Sequence, residues 1–412
     1  MRIESRRSLL AVCVLSLLSL VACGGEKAQD VSADVPAAAE PAAQPKDIRK
    51  AIEKAVDRGI KFIRTHQDGK TGAVRFIAEA EKTAHPGLTG MALLCYLRSH
   101  RGYTSEDGPF VGRALEWLIS LQKPDGSIYL HDSAQYCTSV ALTAISESGE
   151  DRFRAAKQRA LDYLVAIQAS EDTGYRKGDR FYGGVGYGGD ERPDLSNTQF
   201  GVEAARSAGL PADHPFFKRA AIFANRTQNH GETNDQKWKL PSGEMAHPGN
   251  DGGAMYLPGE SKAGIEVLPD GRKVFRSYGS MSYALLKSYI FCDIKRADPR
   301  VKAVARWCQE NFSLERHPGF IAGEAGDEPW QGLFYYYFSM ARALSVYGQG
   351  TWTTKAGVKH DWSRELASEL ISRQIESGAF LNTRSPRWNE NAPILCTLYG
   401  VLALEECLKA LD

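Results

Sequence analysis

RGIKFIRTHQ at 58–67, RALEWLISLQ at 113–122, RALDYLVAIQ at 159–168 and RAAIFANRTQ at 219–228 are four copies of one ten-residue phrase. Each has Arg first, a small residue second, an aromatic fifth (Phe62, Trp117, Tyr163, Phe223) and Gln tenth (Gln67, Gln122, Gln168, Gln228). Two weaker copies follow, KAVARWCQEN from Lys302 and ELASELISRQ from Glu365. Repetition at a spacing of roughly fifty residues means that one supersecondary unit is stacked several times.

The second copy shows what the unit is. Leu115, Leu118, Ile119 and Leu121 surround Trp117 at helical spacing, and Lys123-Pro124-Asp125-Gly126 is a turn that cannot continue the helix. A second helix follows from about Ser133 to Ser146, apolar on more than one side and therefore buried, whereas the amphipathic first helix shows one face to water. Inner helices of this kind are expected to start near Pro86, Ser133, Pro193, Ser277, Trp330 and Asn391. Six outer-turn-inner hairpins predict an all-α (α/α)6 toroid, a double barrel of six outer and six inner helices. The turns that follow Gln gather at one end.

The phrase ending in Gln, followed by Gly and an aromatic as in Gln122, Gly126 and Tyr129, resembles the QW repeat of squalene and oxidosqualene cyclases. It also resembles the related prenyltransferase α/α-toroid. The likeness runs from about residue 47 to the end and speaks for the fold more than for an activity, since one fold hosts unrelated chemistries.

The N-terminus is an address. Arg6-Arg7 precede an apolar run from Leu9 to Val21, and Leu20-Val21-Ala22-Cys23 resembles a bacterial lipoprotein processing box. Residues 1–23 are thus expected to be a lipoprotein signal peptide, with Cys23 the lipidation site and membrane anchor. Residues 24–46 are expected to be a disordered Ala/Pro-rich tether. The toroid domain occupies 47–412, with an insert at about 229–276. The expected location is the periplasmic face of the outer membrane. With 51 Lys and Arg against 50 Asp and Glu and no basic stripe, nucleic acid is an unsuitable partner. Six cysteines remain after processing, most of them among apolar helix residues, where a free thiol packs as a small hydrophobe.

In the cyclases that the repeat resembles, the proton donor belongs to an Asp-x-Asp-Asp-Thr-Ala motif at the start of an inner helix. Here Asp194 and Thr198 match its first Asp and its Thr, but Ser196 and Asn197 stand where the second and third Asp would be. A serine hydroxyl cannot protonate an alkene. Asp194 is the catalytic candidate that remains, and helix capping by Asp194 or Ser196 is the alternative reading of the same residues. The prenyltransferase zinc ligands and the CGEQ thioester phrase are missing, as are Asp-rich magnesium motifs. No metal or other cofactor is expected.

The insert contains a hairpin, Ile265 to Leu268 and Arg272 to Tyr278 about a Pro-Asp-Gly turn, and is read as the pocket cover. Glu260, Lys262 and Arg276, with the amides of Gly252, Gly253 and Gly259, are candidate lid residues for clamping a ligand, or salt bridges that order the lid. His230, Glu232, His247 and Asp251 match no established metal spacing.

Aromatics and amides cluster at the inner-helix starts. Asn197, Gln199, Tyr136, Tyr187 and Tyr278 are candidate ligand-binding residues, as are Tyr283, Trp330, Tyr336 and Trp388. Tyr and Trp offer an apolar face with a polar edge, suited to an apolar or amphipathic small molecule. Of Tyr335, Tyr336 and Tyr337, at least one must point away from the cavity. Three functions stay open: a lipid-anchored toroid that binds or transforms a ligand in its central cavity, an isoprenoid cyclase or transferase with an atypical acid, and a carbohydrate-active lyase or hydrolase.

Overall fold

A computed structural model describes residues 45–188, 192–321, 323, 326–354 and 356–411. Cys23, the signal segment and nearly all of the tether lie outside them. The described chain falls within one compact unit, Ala42–Asp412.

Twelve α-helices alternate between two rings among the described residues. The outer ring is α1 (Ile48–Thr65), α3 (Pro109–Ser120), α5 (Arg154–Ala166), α7 (Pro215–Thr227), α9 (Pro299–Glu310) and α11 (Trp362–Arg373). The inner ring is α2 (Pro86–Arg98), α4 (Ala134–Ser148), α6 (Leu195–Ser207), α8 (Gly279–Phe291), α10 (Leu333–Tyr347) and α12 (Pro393–Lys409). Each inner helix packs on the next, and α12 returns to α2, closing the barrel. Outer helices are one-sided: α1 buries Ile52, Val56, Ile60 and Ile63, three or four residues apart. Inner helices are buried all round, as in α12, where Ile394 through Leu408 are all buried. Each such aliphatic side chain contributes about 1.5–3 kcal/mol. None of these helices is long and apolar enough to cross a membrane.

The repeated Gln is the stitch between units. Nε2 of Gln122 donates to Gly126 O in its own turn (3.1 Å) and to Ala156 O in the next outer helix (2.9 Å). Gln67 does the same with Gly72 and Phe110, Gln168 with Gly183 and Phe216, and Gln228 with Gly252 and Arg300. Gln374 donates to Gly378 O and Ala55 O, both at 2.9 Å, joining the last unit to the first. The phrase's Arg answers from the other side: Arg58 Nη2 donates to the Ile375 carbonyl (2.6 Å), and Arg159 donates to Gln122 Oε1. Gly183 sits in this contact at φ +87°, and a Cβ there would overlap the Arg219 carbonyl oxygen. The fifth unit departs: Asn311 Nδ2 donates only within its own helix, to Trp307 O (2.9 Å).

A second recurrence explains a sequence match. A hydroxyl in the first turn of an inner helix accepts an amide from the preceding turn: Thr89 from Val74, Thr138 from Ile128, Thr198 from Val185, Ser282 from Ala254 and Thr397 from Phe380. Thr198 is therefore a scaffold residue of every unit but the fifth.

The insert carries a four-stranded sheet ordered β1-β2-β4-β3. Its strands are β1 (Trp238–Lys239), β2 (Met245–His247), β3 (Ile265–Val267) and β4 (Lys273–Phe275), and β3–β4 is the expected hairpin. A further hairpin, β5 (Thr351–Thr353) with β6 (Lys359–Asp361), joins α10 to α11 and was not expected from the sequence. The six toroid cysteines are unpaired, and all but half-buried Cys292 are buried.

Candidate functional site

The N-terminal ends of the inner helices form one mouth, and α6 places Asp194 there as its N-cap. Oδ1 accepts from Asn197 N (2.8 Å) and Oδ2 from Asn197 Nδ2 (2.7 Å), so Asn197 is held by the carboxyl it neighbours. Tyr256 of the insert adds a side-chain hydrogen bond to Asp194, and its carbonyl accepts Leu195 N at 2.9 Å. Only 1% of Asp194 is exposed. Burial outweighs these donors and pushes its carboxyl up to about 6.

Tyr335 reaches across from α10. Its hydroxyl shares a hydrogen bond with Ser196 Oγ (2.8 Å) and accepts from Gln199 Nε2 (2.6 Å). The α10 amides are capped from outside: Glu390 Oε1 accepts Tyr335 N (2.8 Å), while Oε2 accepts Asn382 Nδ2 (2.7 Å). Burial pushes the Glu390 carboxyl up to about 7 despite these bonds. Gln135 on α4 completes the group. Its Nε2 donates to Asn197 O (3.0 Å) and Ser139 Oγ (2.9 Å), which leaves Oε1 buried without a donor; Gln199 Oε1 is in the same state.

Beneath this polar layer lies an aromatic one. Phe200 of α6 stacks on Phe338 of α10 (6.2 Å), Phe338 stacks on Tyr399 of α12 (5.6 Å), and Tyr136 meets Phe200 edge-on (5.1 Å). Below that, charges from all six inner helices converge. Glu203 meets Lys287 (2.5 Å), Arg342 (2.8 Å) and Arg98 (3.5 Å); Arg342 also meets Glu406 (2.7 Å), and Arg98 meets Glu147 (2.6 Å). Helices α6 and α10, like α2 and α6, are not neighbours in the ring, so these contacts cross the lumen. Ser196 and Glu203 are seven residues apart on α6, about 10 Å along its axis. The lumen is thus a shallow, layered plug where the sequence suggested an aromatic-lined central cavity.

Each expected site residue has a definite place. Asn197 and Gln199 join the group around Asp194 and Tyr335, whereas Tyr136 belongs to the aromatic layer and its hydroxyl donates to Met91 Sδ (3.3 Å). Tyr187 is 39% exposed, and its carbonyl accepts Gln135 N (2.9 Å). Tyr278, the residue before α8, is buried against His317 (5.6 Å) and Phe320 (5.2 Å). Tyr283 and Tyr336 turn away from the lumen. They pack on each other (5.8 Å), and Tyr336 OH donates to Ser313 O just after α9 (2.8 Å). Tyr335 is the member of its triplet that faces inward. Trp330 lies under the Arg384 guanidinium (3.8 Å), and Trp388 is 41% exposed.

Of the two readings of the lid residues, a ligand clamp or ordering salt bridges, the structure has the salt bridges. Glu260 pairs with Lys262 (2.6 Å) and Arg192 (3.2 Å), whereas Arg276 pairs with Glu266 (3.3 Å). The three glycine amides are already spent, on Asn229 O, Asp251 Oδ1 and Met255 Sδ. His230 meets Thr233, and Asp251 accepts from Ser277; no group of three or more metal-ligating side chains converges among the described residues.

Sequence reading missed Glu390, Tyr256 and His317. Buried His317 accepts Ser280 N at Nε2 (2.8 Å) and meets Gln331 O at Nδ1 (2.9 Å), and burial lowers its pKa to about 4. The charged layer had a readable signal, since each mostly apolar inner helix carries a charge near its C-terminal end.

The fold is a squalene-cyclase-like α/α toroid. The family model of the squalene-hopene cyclase C-terminal domain matches residues 82–243. Among solved structures, the apo type II terpene cyclase MstE from Scytonema is 13% identical, with 89% of this chain and 100% of that one covered and a TM-score of 0.53. A variant of that cyclase in complex with geranylgeranyl dihydroxybenzoate is 12% identical over 88% and 99% of the two chains, at 0.53. A glycosidase variant in complex with glucose is 14% identical over 90% and 100%, at 0.51. At these identities the likeness establishes the fold. No curated protein sequence matches the chain.

Proposed function

We propose that this chain is an exported, lipid-anchored toroid that takes a small hydroxylated ligand, a sugar ring, at the polar mouth of its inner barrel. The observation that carries this reading is Gln135 Oε1, a buried acceptor without a donor beside Asn197 and the Asp194 carboxyl. Its orientation is fixed, because the amide's other end must donate to the Asn197 carbonyl. A buried acceptor left unpaired costs about 1–3 kcal/mol, which a ligand O–H would recover and a hydrocarbon would not. Asp194, with its pKa near 6, is the group suited to holding or passing a proton at that ligand.

The glycosidase with bound glucose shows that a toroid of this shape accommodates a sugar in another protein. An isoprenoid is the second reading, favoured by the cyclase family match and by the Phe200, Phe338 and Tyr399 layer. The shallow depth and Ser196 in place of the usual acid argue against it.

Calorimetric titration of the chain from residue 24 onward with short oligosaccharides tests the reading. Tyr335→Phe removes the hydroxyl that organises Ser196 and Gln199, and sugar affinity is expected to fall about tenfold, one lost hydrogen bond. Equal affinity in both proteins contradicts the assignment. Mass spectrometry of the mature N-terminus, read for a diacylglyceryl Cys23, tests the anchor.

A further inference from the structure

The insert has a small core of its own, in which Trp238 packs edge-to-face on Phe275 (5.5 Å) with Ala246 and Met255. Against it lies a cleft of about 370 Å³ whose walls include Arg180, Lys237, Trp238, Lys239, Ile265 and Phe275. Three of these side chains are cations. The insert's ion pairs join Glu260 to Lys262 and Arg192, Glu244 to Lys273, Glu266 to Arg276, Asp270 to Arg272 and Asp235 to Arg226, so Arg180, Lys237 and Lys239 form no direct ion pair among the described residues. Arg180 is tethered by Nε to the Pro258 carbonyl, and burial together with the neighbouring Arg192 lowers its pKa against the opposing pull of Glu260. The Trp238 indole is 6% exposed, and its Nε1 donor has no acceptor. Gly259 lies flat on the ring, where a Cβ would overlap it.

We propose that this cleft is a subsite for a carboxylated sugar ring, an inference that rests on the reading of the ligand as hydroxylated. Arg180 and the two lysines receive the carboxylate. The aromatic wall takes the C–H face of the ring, and Trp238 Nε1 donates to a ring hydroxyl. The insert would then select acidic saccharides, while the mouth recognises hydroxyl groups common to all of them.

The test is calorimetry on the chain from residue 24 onward, whose fold lies within residues 42–412. The probes are a disaccharide with one uronic acid and the same disaccharide with its carboxyl reduced. The acidic probe is expected to bind about tenfold more tightly, with the gap shrinking as salt rises. Lys237→Ala combined with Lys239→Ala should narrow that gap severalfold, leaving only the share that Arg180 contributes. Trp238→Phe keeps an aromatic ring but removes the Nε1 donor, and should weaken both probes severalfold under conditions where circular dichroism shows the variant fully folded. Equal binding of the two probes, or a gap undiminished by the lysine changes, overturns the subsite. A preference narrowed by the lysine changes but indifferent to Tyr335→Phe supports the cleft and sinks the mouth. Sensitivity to Tyr335→Phe alone does the reverse, and binding of neither probe overturns both.

Discussion

Asp194 has two duties that pull its protonation in opposite directions. As the N-cap of α6 it accepts amide hydrogen bonds, which favour the anion, but the insert and α10 shut out water, which disfavours it. Burial wins, and Glu390 repeats the pattern at α10. Unfolded, such carboxyls ionise near about 3.9 and 4.3, below their folded values of about 6 and about 7. The folded state therefore retains protons that the unfolded chain releases. The contribution of these groups is fully present below about pH 4 and is lost as pH rises through about 6 and 7. Asp194→Asn keeps a capping oxygen and removes the ionisation. Chemical denaturation from about pH 4.5 to about pH 8 should show the natural protein losing about 2–3 kcal/mol relative to the variant. Parallel pH profiles contradict the burial argument.

At the scale of elements, the Gln stitch makes six hairpins into one ring. Gln374→Ala frees the carbonyls of Ala55 and Gly378 and should cost about 1–3 kcal/mol, read as a lower midpoint in urea with unchanged helical circular dichroism. Gly183→Ala should cost more, about 3 kcal/mol or above, because it adds a clash with backbone to a left-handed φ; a shift below about 1 kcal/mol would show that the contact yields. The hairpin order was legible in the sequence because Arg, aromatic, Gln and the following Gly all act within one turn and its neighbour, so the ten-residue phrase contains the geometry. Inner-helix starts were legible for the same reason, each lying within about three residues of its expected place. The site was not equally legible. Which of Tyr335, Tyr336 and Tyr337 enters the lumen depends on the rotation of α10, and three adjacent tyrosines carry no signal for it. Glu390 was hidden because it caps a helix that precedes it by fifty-five residues. Thr198 misled in the other direction, since its match to a cyclase motif belongs to a hydroxyl that the scaffold itself repeats.

On the scale of the whole molecule, the far end of the barrel is closed by charge. Burial alone would raise Glu203, but Lys287, Arg342 and Arg98 hold it well below the usual carboxylate range. Its contribution is present above the unfolded value of about 4.3 and is lost as pH falls. Mouth and floor thus respond to pH with opposite signs, and these groups together favour a stability maximum near about pH 4. Lys287→Met leaves Glu203 with one buried partner fewer and should cost about 3 kcal/mol or more in urea. The layered plug also gives the molecule its chemistry: about 10 Å from Ser196 to Glu203, polar at the mouth and charged at the floor. Native mass spectrometry on the chain from residue 24 onward, equilibrated with equal amounts of short oligosaccharides and long-chain polyprenols, tests this most directly. Retention of a saccharide, weakened about tenfold in Tyr335→Phe, is the expected result. Retention of a polyprenol, with saccharides excluded, would contradict it.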